Sequence, residues 1–245
     1  MIYPVTQRFA VPLLPEQLLA IPWMEALNAT EREWAATVLR VTTVGPAELV
    51  CRVGSRPTHW VGVLDGLVKM SSYGDSGQTV TFAGFPAGGW FGEGTILKQE
   101  TYQYDIQALQ GSRLVWMPVA AFRHLLSESI AFNGFLMRQF NERLGQFIAW
   151  KAATTTLQLD ERLAQALANL FNPALFPRVG DRLKISQQEL AYLVGTSRQQ
   201  INEALPLLRD AGAAEAEYGG IRLLDLYKLR AYKNRRGGSG SLHCA

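Results

Sequence analysis

The 245-residue sequence is poor in the residues that build metal and disulfide sites, with two cysteines, Cys51 and Cys244, and three histidines. Cysteines so far apart offer neither a disulfide framework nor metal-ligand spacing. They cannot hold an iron–sulfur cluster, which needs a cluster of thiolates. No apolar run approaches the ~20 residues of a membrane helix, so no membrane partner is expected. The opening Met1-Ile-Tyr-Pro lacks a basic region followed by an apolar core, so a cytoplasmic location without a signal peptide is expected. No nucleophile–base pair, metal cluster or glycine-rich phosphate loop stands out, and neither an enzyme nor a cofactor is expected. Charge is low as well: a net +3 is too mild to argue for nucleic acid by itself. Its distribution says more, because Lys228, Arg230, Lys233, Arg235 and Arg236 crowd the C-terminal end.

What is present changes character along the chain, whose length allows one large domain or two ordinary ones. Residues 1–39 read as mostly helical, broken by Pro12, Pro15 and Pro22; Thr30 with Glu33 predicts a capped helix start. From Arg40 to Pro118 short β-rich runs recur at 40–44, 48–53, 60–64, 67–71, 79–85, 105–109 and 113–117. Turn residues separate them, including Asp65-Gly66, the stretch from Tyr73 to Gly77, and Pro86-Ala87-Gly88-Gly89. Many short strands at regular spacing predict an antiparallel roll or barrel. A short helix over 119–126 follows, then a long one from Ser129 or Ala131 past Trp150. Along it Met137, Phe140, Leu144, Phe147 and Ile148 form an apolar stripe, while Arg138, Glu142 and Arg143 stay polar. The stripe either packs on its own domain or forms a two-fold seam with a second copy; its length favours the seam. Thr154-Thr155-Thr156 reads as a hinge, and Asp160–Phe171 as an amphipathic helix ended by Pro173 and Pro177.

The most informative stretch runs from Ile185 to Gly212. Ser186 with Glu189 opens a helix in a capping box, and Gly195 stops it. Thr196 with Gln199 repeats the pattern, and a second helix carries Ile201, Ala204, Leu205 and Leu208 at helical period. Two short helices around a glycine turn make a helix-turn-helix. The polar side of the second helix shows Ser197, Arg198, Gln199 and Asn202, which include side chains able to pair with base edges in a major groove. An ordinary helical hairpin with a solvated face is the alternative. Beyond it, two strand-like runs flank Gly219-Gly220, a hairpin signal that turns the motif into a winged helix. A short helix over 225–232 and a coreless tail from Gly237 to Ala245 complete the chain.

Three stretches carry a resemblance to a known family. Trp90-Phe91-Gly92-Glu93-Gly94 resembles the aromatic-x-Gly-Glu opening of a phosphate cassette. The run from Asp160 to Ala164 resembles the start of a DNA-binding domain. The run from Ile185 to Gln199 closely matches a helix-turn-helix. Together, over about residues 20–232, the chain resembles the cyclic-AMP receptor protein / FNR family of bacterial transcription regulators. The resemblance implies an α+β fold with an N-terminal cyclic-nucleotide-binding-type β-roll (1–128). A central dimerisation helix and hinge (129–156), a C-terminal winged helix-turn-helix (157–236) and a flexible tail (237–245) follow. It implies a homodimer on a double-stranded DNA operator, with RNA polymerase as a further partner. Lys184, Ser186, Gln187, Thr196, Ser197, Arg198, Gln199, Asn202 and Glu203 would face the DNA, and Met137, Phe140, Leu144, Phe147 and Ile148 the second copy. Glu203 stands where the cyclic-AMP receptor has a second arginine, so base preference is expected to differ. Pro206 is expected to kink the second helix or end it early.

The effector side of the resemblance departs from the family. In members that bind cyclic AMP an arginine–serine pair follows the cassette's Gly-Glu, the arginine neutralising the phosphate. Here those positions fall near Tyr102 and Gln103, and the hydroxyl pair that touches adenine falls near Phe147 and Ile148. A buried phosphate without a cation is costly, so cyclic AMP is not the expected effector. The pocket candidates are Phe91, Gly92, Glu93, Lys98, Tyr102, Gln103 and Tyr104; Glu93 reads as a structural remnant, and Lys98 is close enough in sequence to be the expected source of positive charge should another anion bind. The alternative is a nucleotide- or cyclic-dinucleotide-responsive regulator switched by ligand in the roll. A haem ligand would have to be His59 or His124, and each reads more simply as a packing or surface residue.

Overall fold

The structure, a computed structural model, describes residues 10–73, 79–153 and 157–233. The turn at 74–77, the hinge at 154–156, Arg235, Arg236 and the tail lie outside the described residues. Two compact units divide it. One holds the described residues up to Gly145 together with Asn172–Gly180; the other holds Gln146–Phe171 and the described residues from Asp181 onward.

The first unit opens with β1 (Val11–Pro12), α1 (Pro15–Leu18), a 3-10 turn at Pro22–Ala26 and α2 (Ala29–Val38). Helix α2 is capped by Asn28 with Glu31, not by Thr30 with Glu33. The Asn28 side-chain oxygen Oδ1 accepts from the Glu31 amide at 2.9 Å, and the proposed cap falls inside the first turn. The strands are β2 (Arg40–Val44), β3 (Leu49–Cys51), β4 (His59–Asp65), β5 (Leu67–Tyr73), β6 (Thr79–Pro86) and β7 (Trp90–Phe91). After α3 (Glu93–Lys98) come β8 (Asp105–Ala108) and β9 (Ser112–Pro118). They form two antiparallel sheets, ordered β1-β2-β9-β4-β7 and β3-β8-β5-β6. Strands β1 and β7, two residues each, are too short to leave a periodic pattern.

One core of the roll fills the space between the sheets with Val61, Val63, Val68, Phe85, Phe91, Tyr102 and Ile106. The other is aromatic and gathers Trp23, Trp60, Trp90, Phe122 and Phe132. Trp60 and Trp90 lie 4.2 Å apart between ring centroids. Their approach requires Gly62, where a Cβ would stand 2.3 Å from the Trp90 ring. Helices α4 (Val119–Glu128) and α5 (Ile130–Ala153) follow. Helix α5 has two apolar faces where the sequence suggested one. Phe132, Phe135, Leu136, Gln139 and Arg143, at spacings of three, one, three and four, are turned inward, and the first four are buried. Met137, Phe140, Leu144, Phe147 and Ile148 stay exposed, Met137 at 71% and Leu144 at 57%.

The second unit is a winged helix-turn-helix: α6 (Leu159–Leu170), β10 (Arg182–Lys184), α7 (Gln187–Val194), α8 (Arg198–Asp210), β11 (Ala214–Glu217), β12 (Gly220–Leu223) and α9 (Leu226–Arg230). Its sheet runs β10-β12-β11. The wing turns at Tyr218-Gly219, because Glu217 already pairs with Gly220. Gly220 is thus a strand residue, and its missing Cβ lets the backbone pass Leu183, whose carbonyl oxygen would lie 2.5 Å away. Tyr232 donates its hydroxyl to the buried Asp160 at 2.9 Å and ties the chain's end to the start of α6.

Candidate functional site

Two places carry chemistry. The first is the helix pair α7–α8. Ser186 caps α7 by accepting from the Glu189 amide at 3.2 Å, and Gly195 ends it in the left-handed region (φ 72°). The amides of Gly195 and Thr196 both reach the Ala191 carbonyl at 2.9 Å, so Thr196 belongs to the turn. The cap of α8 is therefore Ser197 with Gln200, one residue later than the sequence suggested, the serine oxygen accepting from the Gln200 amide at 3.2 Å. Thr196 donates to Gln200 as well.

Burial of Ile201, Ala204, Leu205 and Leu208 fixes which way α8 faces. Arg198, Gln199, Asn202 and Glu203 are left on the exposed side, with Gln199 donating to Glu203 at 3.1 Å. The N-terminal turn thus presents a guanidinium and amides on a rigid helix end. Pro206 does not end α8, which continues to Asp210; the proline stands on the exposed face. It leaves the Asn202 carbonyl without its helical donor, and water can supply one there. Lys184 sits on β10 opposite Gly220 of the wing, and Gln187 opens α7. The wing's own charges are largely matched, Arg222 with Glu215 and Glu217, and Arg182 with Glu217.

The second place is the cassette. Gly92 sits at φ +95°, and a Cβ there would approach the Tyr102 hydroxyl to 3.1 Å. That turn launches α3, with Glu93 as its first residue. Glu93 is 2% exposed. Trp60 donates its indole N–H to Glu93 at 3.1 Å, and the Arg143 guanidinium, reaching in from α5, bonds both the Glu93 carboxylate and the Trp90 carbonyl. The same guanidinium lies 5.3 Å above the centre of the Phe85 ring.

Of the pocket candidates, the structure brings together Phe91, Gly92, Glu93, Tyr102 and Tyr104. Tyr102 and Tyr104 pack ring to ring at 5.6 Å, and Tyr104 shares a hydrogen bond with Thr95 at 3.3 Å. Burial pushes the Tyr104 phenol up to about 12, raises that of Tyr102, and pushes the Cys51 thiol beside Tyr102 up to about 12. All three are neutral hydrogen-bonding groups at physiological pH. Lys98 and Gln103 do not join them. Lys98 is exposed and pairs with Glu100 at 3.1 Å, while Gln103 bonds the Thr101 carbonyl at the surface. The expected source of positive charge is corrected accordingly: Arg143 supplies it. In the sequence Arg143 is one polar residue among several on a long helix, and its only mark is a place on the same helical face as Phe132, Leu136 and Gln139. His124 packs against Trp34 with the rings tilted and their centroids 4.4 Å apart, and His59 packs edge-on against Trp116 at 5.9 Å. Each imidazole thus has a packing role.

The comparisons with known proteins agree with these two places. Residues 41–129 match the cyclic nucleotide-binding domain family, and residues 161–232 the Crp-like helix-turn-helix domain family. The transcriptional regulator SdrP of Thermus thermophilus is 29% identical over 177 residues, covering 71% of this chain and 84% of SdrP. The cAMP-activated global transcriptional regulator CRP of Haemophilus influenzae is 24% identical over 196 residues, covering 77% of this chain and 88% of that protein. A solved CRP/FNR-family transcriptional regulator from Thermus thermophilus aligns with a TM-score of 0.53 at 25% identity, covering 79% of this chain and 100% of that one.

Proposed function

The chain belongs to the Crp/Fnr family of transcription regulators, and from that premise we propose that it works as a homodimer reading a near-palindromic operator, under a sensor roll whose effector is not cyclic AMP. It is a DNA-binding transcription regulator with a cyclic-nucleotide-binding-type domain. The observation that carries the reading is α8, whose apolar stripe is fully buried while Arg198, Gln199, Asn202 and Glu203 face outward. A helix held that way can enter a major groove with its N-terminal turn against the base edges. Ser186, Gln187, Thr196, Ser197 and Lys184 flank that turn for contacts to the phosphates.

The exposed stripe of α5 supports the homodimer. Five apolar side chains at near-heptad spacing on one face fit a parallel two-helix seam. A homodimer on one operator would present two α8 helices to successive major grooves, one DNA turn or roughly 34–36 Å apart, and that two-fold arrangement calls for a near-palindromic site. RNA polymerase as a further partner and a cytoplasmic location belong to the same reading, as does the division at 128, 156 and 236.

Cyclic AMP is disfavoured because the cassette's carboxylate is already committed to Arg143 and Trp60, and Tyr102 stands where the phosphate-binding arginine would be. The second reading, a nucleotide or cyclic dinucleotide as effector, draws on the same guanidinium: an anionic ligand would take Arg143 over from Glu93.

The test compares Arg198→Ala with Lys184→Ala on a cognate duplex and on one altered at the guanine that Arg198 reads. Loss of Arg198 is expected to cost ~1–3 kcal/mol per half-site and to relax discrimination at that base pair. Loss of Lys184 is expected to weaken both duplexes alike and to flatten the salt dependence. Equal loss on both duplexes for Arg198→Ala would make it a phosphate contact and remove the assignment.

A further inference from the structure

The wing takes no part in the groove contact proposed for α8, and its chemistry differs from that of the helix. Around its sheet Asp181, Glu215 and Glu217 stand against Arg182, Lys184 and Arg222, which leaves no net charge there. Arg182 and Arg222 are direct cross-strand neighbours, a repulsive pairing by itself. Carboxylates offset it: Glu217 lies 3.4 Å from the Arg182 Nε, and Glu215 3.6 Å from the Arg222 guanidinium. The tip carries no charge at all. Glu217 pairs with Gly220, so the hairpin turns through Tyr218 and Gly219 alone. The left-handed position falls on Gly219 (φ +76°), which has no Cβ to oppose it, and Tyr218 takes the other corner of the turn. There its side chain is fully exposed and adds nothing to the core of its own unit. The strand register shows what the tip lies beside. Gly220 pairs with Glu217 on one side and with Lys184 on the other, and Lys184 leads through Ile185 to Ser186, the cap of α7. The tip therefore stands at the end of the sheet where α7 begins, the edge that carries Lys184, Ser186 and Gln187.

We propose that Tyr218 makes a second DNA contact, through an aromatic ring and not through charge: the ring covers deoxyribose carbons of the backbone that flanks the groove taken by α8, and the phenol donates to a phosphate oxygen. The proposal rests on the DNA-reading role of α8 and adds a contact outside the base pairs that α8 reads. Tyrosine is among the side chains that bond phosphate and sugar, and such contacts position a protein on the duplex. The ordering cost is small, because a tyrosine has two χ angles and the tight turn has already fixed the backbone that carries it. The ring neutralises no phosphate and releases no counterion, so it adds affinity without adding to the salt dependence. It touches no base edge, so it adds nothing to discrimination between sequences. Those two properties separate Tyr218 from Lys184, whose loss flattens the salt dependence, and from Arg198, whose loss relaxes discrimination.

The test uses the full chain and a duplex that the wild-type protein selects from a random pool, once with long flanks and once trimmed to the base pairs that the selection defines. Tyr218→Ala removes a fully exposed side chain and should leave Tm unchanged. On the long duplex it is expected to bind about tenfold more weakly than the wild type. Tyr218→Phe, which keeps the ring and loses one hydrogen bond, should stay within about threefold. The Tyr218→Ala loss should be the same on a base-altered duplex, and plots of log affinity against log salt should run parallel to those of the wild type. On the trimmed duplex the two proteins should bind alike. Hydroxyl-radical footprinting, which reads the exposure of each deoxyribose, should show the flanking sugars protected by the wild type and open in Tyr218→Ala. Unchanged affinity on the long duplex, a loss confined to one base pair, or a flattened salt plot overturns the proposal. A wild type that selects no sequence instead refutes the DNA-reading role itself, and that is seen before any wing variant is made.

Discussion

Replacing Arg143 by alanine is the sharpest test of how the cassette is held. Glu93 is 2% exposed, and the Arg143 side chain 23%. The substitution leaves a buried carboxylate with the Trp60 N–H at 3.1 Å and no counter-charge. Breaking a buried ion pair from one side costs ~3–5 kcal/mol. Water already reaches the arginine end, which places the loss near ~3 kcal/mol, since screening weakens the pair there. Losing the guanidinium over Phe85 adds ~0.5–1 kcal/mol. For a chain of this size each kcal/mol moves Tm by ~2–4 °C, so the roll should melt roughly 7–16 °C lower. Tryptophan fluorescence reads this unit directly, because Trp23, Trp34, Trp60, Trp90 and Trp116 all lie in it. Glu93→Gln removes the buried charge while keeping an acceptor for Arg143, and should cost less. The double variant should cost less than the sum of the two singles, because both act on one pair. A loss below ~1 kcal/mol would place the pair with exposed surface bridges, and Arg143 would then not hold the cassette.

Phe140→Glu puts two carboxylates against each other on the exposed face of α5, and sedimentation should show monomers with weakened operator binding; a persistent dimer would place the seam elsewhere. Calorimetric titration with cyclic AMP should show weak binding or none, and micromolar affinity would mean that Arg143 exchanges Glu93 for a phosphate. Burial lowers the His59 pKa from 6.5, so the unfolded chain binds more protons below that value. Stability should be complete above about pH 6.5 and decline as the pH falls through the window beneath it, and His59→Gln should flatten that limb in urea titrations at stepped pH.

Local signals placed most elements within a residue or two. The β2 span, Arg40–Val44, agrees to the residue, its β-branched run ending at the turn that follows Val44. The cap errors at α2 and α8 share one cause: neighbouring polar residues offer equivalent capping boxes one or two positions apart, and only tertiary packing selects among them. Lys98 looked like a pocket residue by its nearness to Glu93 along the chain and Gln103 by its place in the resembled cassette, but α3 and the turn after it carry both side chains outward.

The sequence by itself determined the order of elements and the reading helix, because caps, glycine turns and helical period act over a few residues. The partner of Glu93 and the seat of Phe176 were decided only by tertiary structure. Arg143 is 50 residues from Glu93, and Phe176 is separated from Phe85 by a long helix and half of another unit. Nothing local distinguishes these side chains from their neighbours. Their roles arise when a helix with two apolar faces folds one of them inward, and burial makes a single guanidinium and a single ring cover what the sheets leave open.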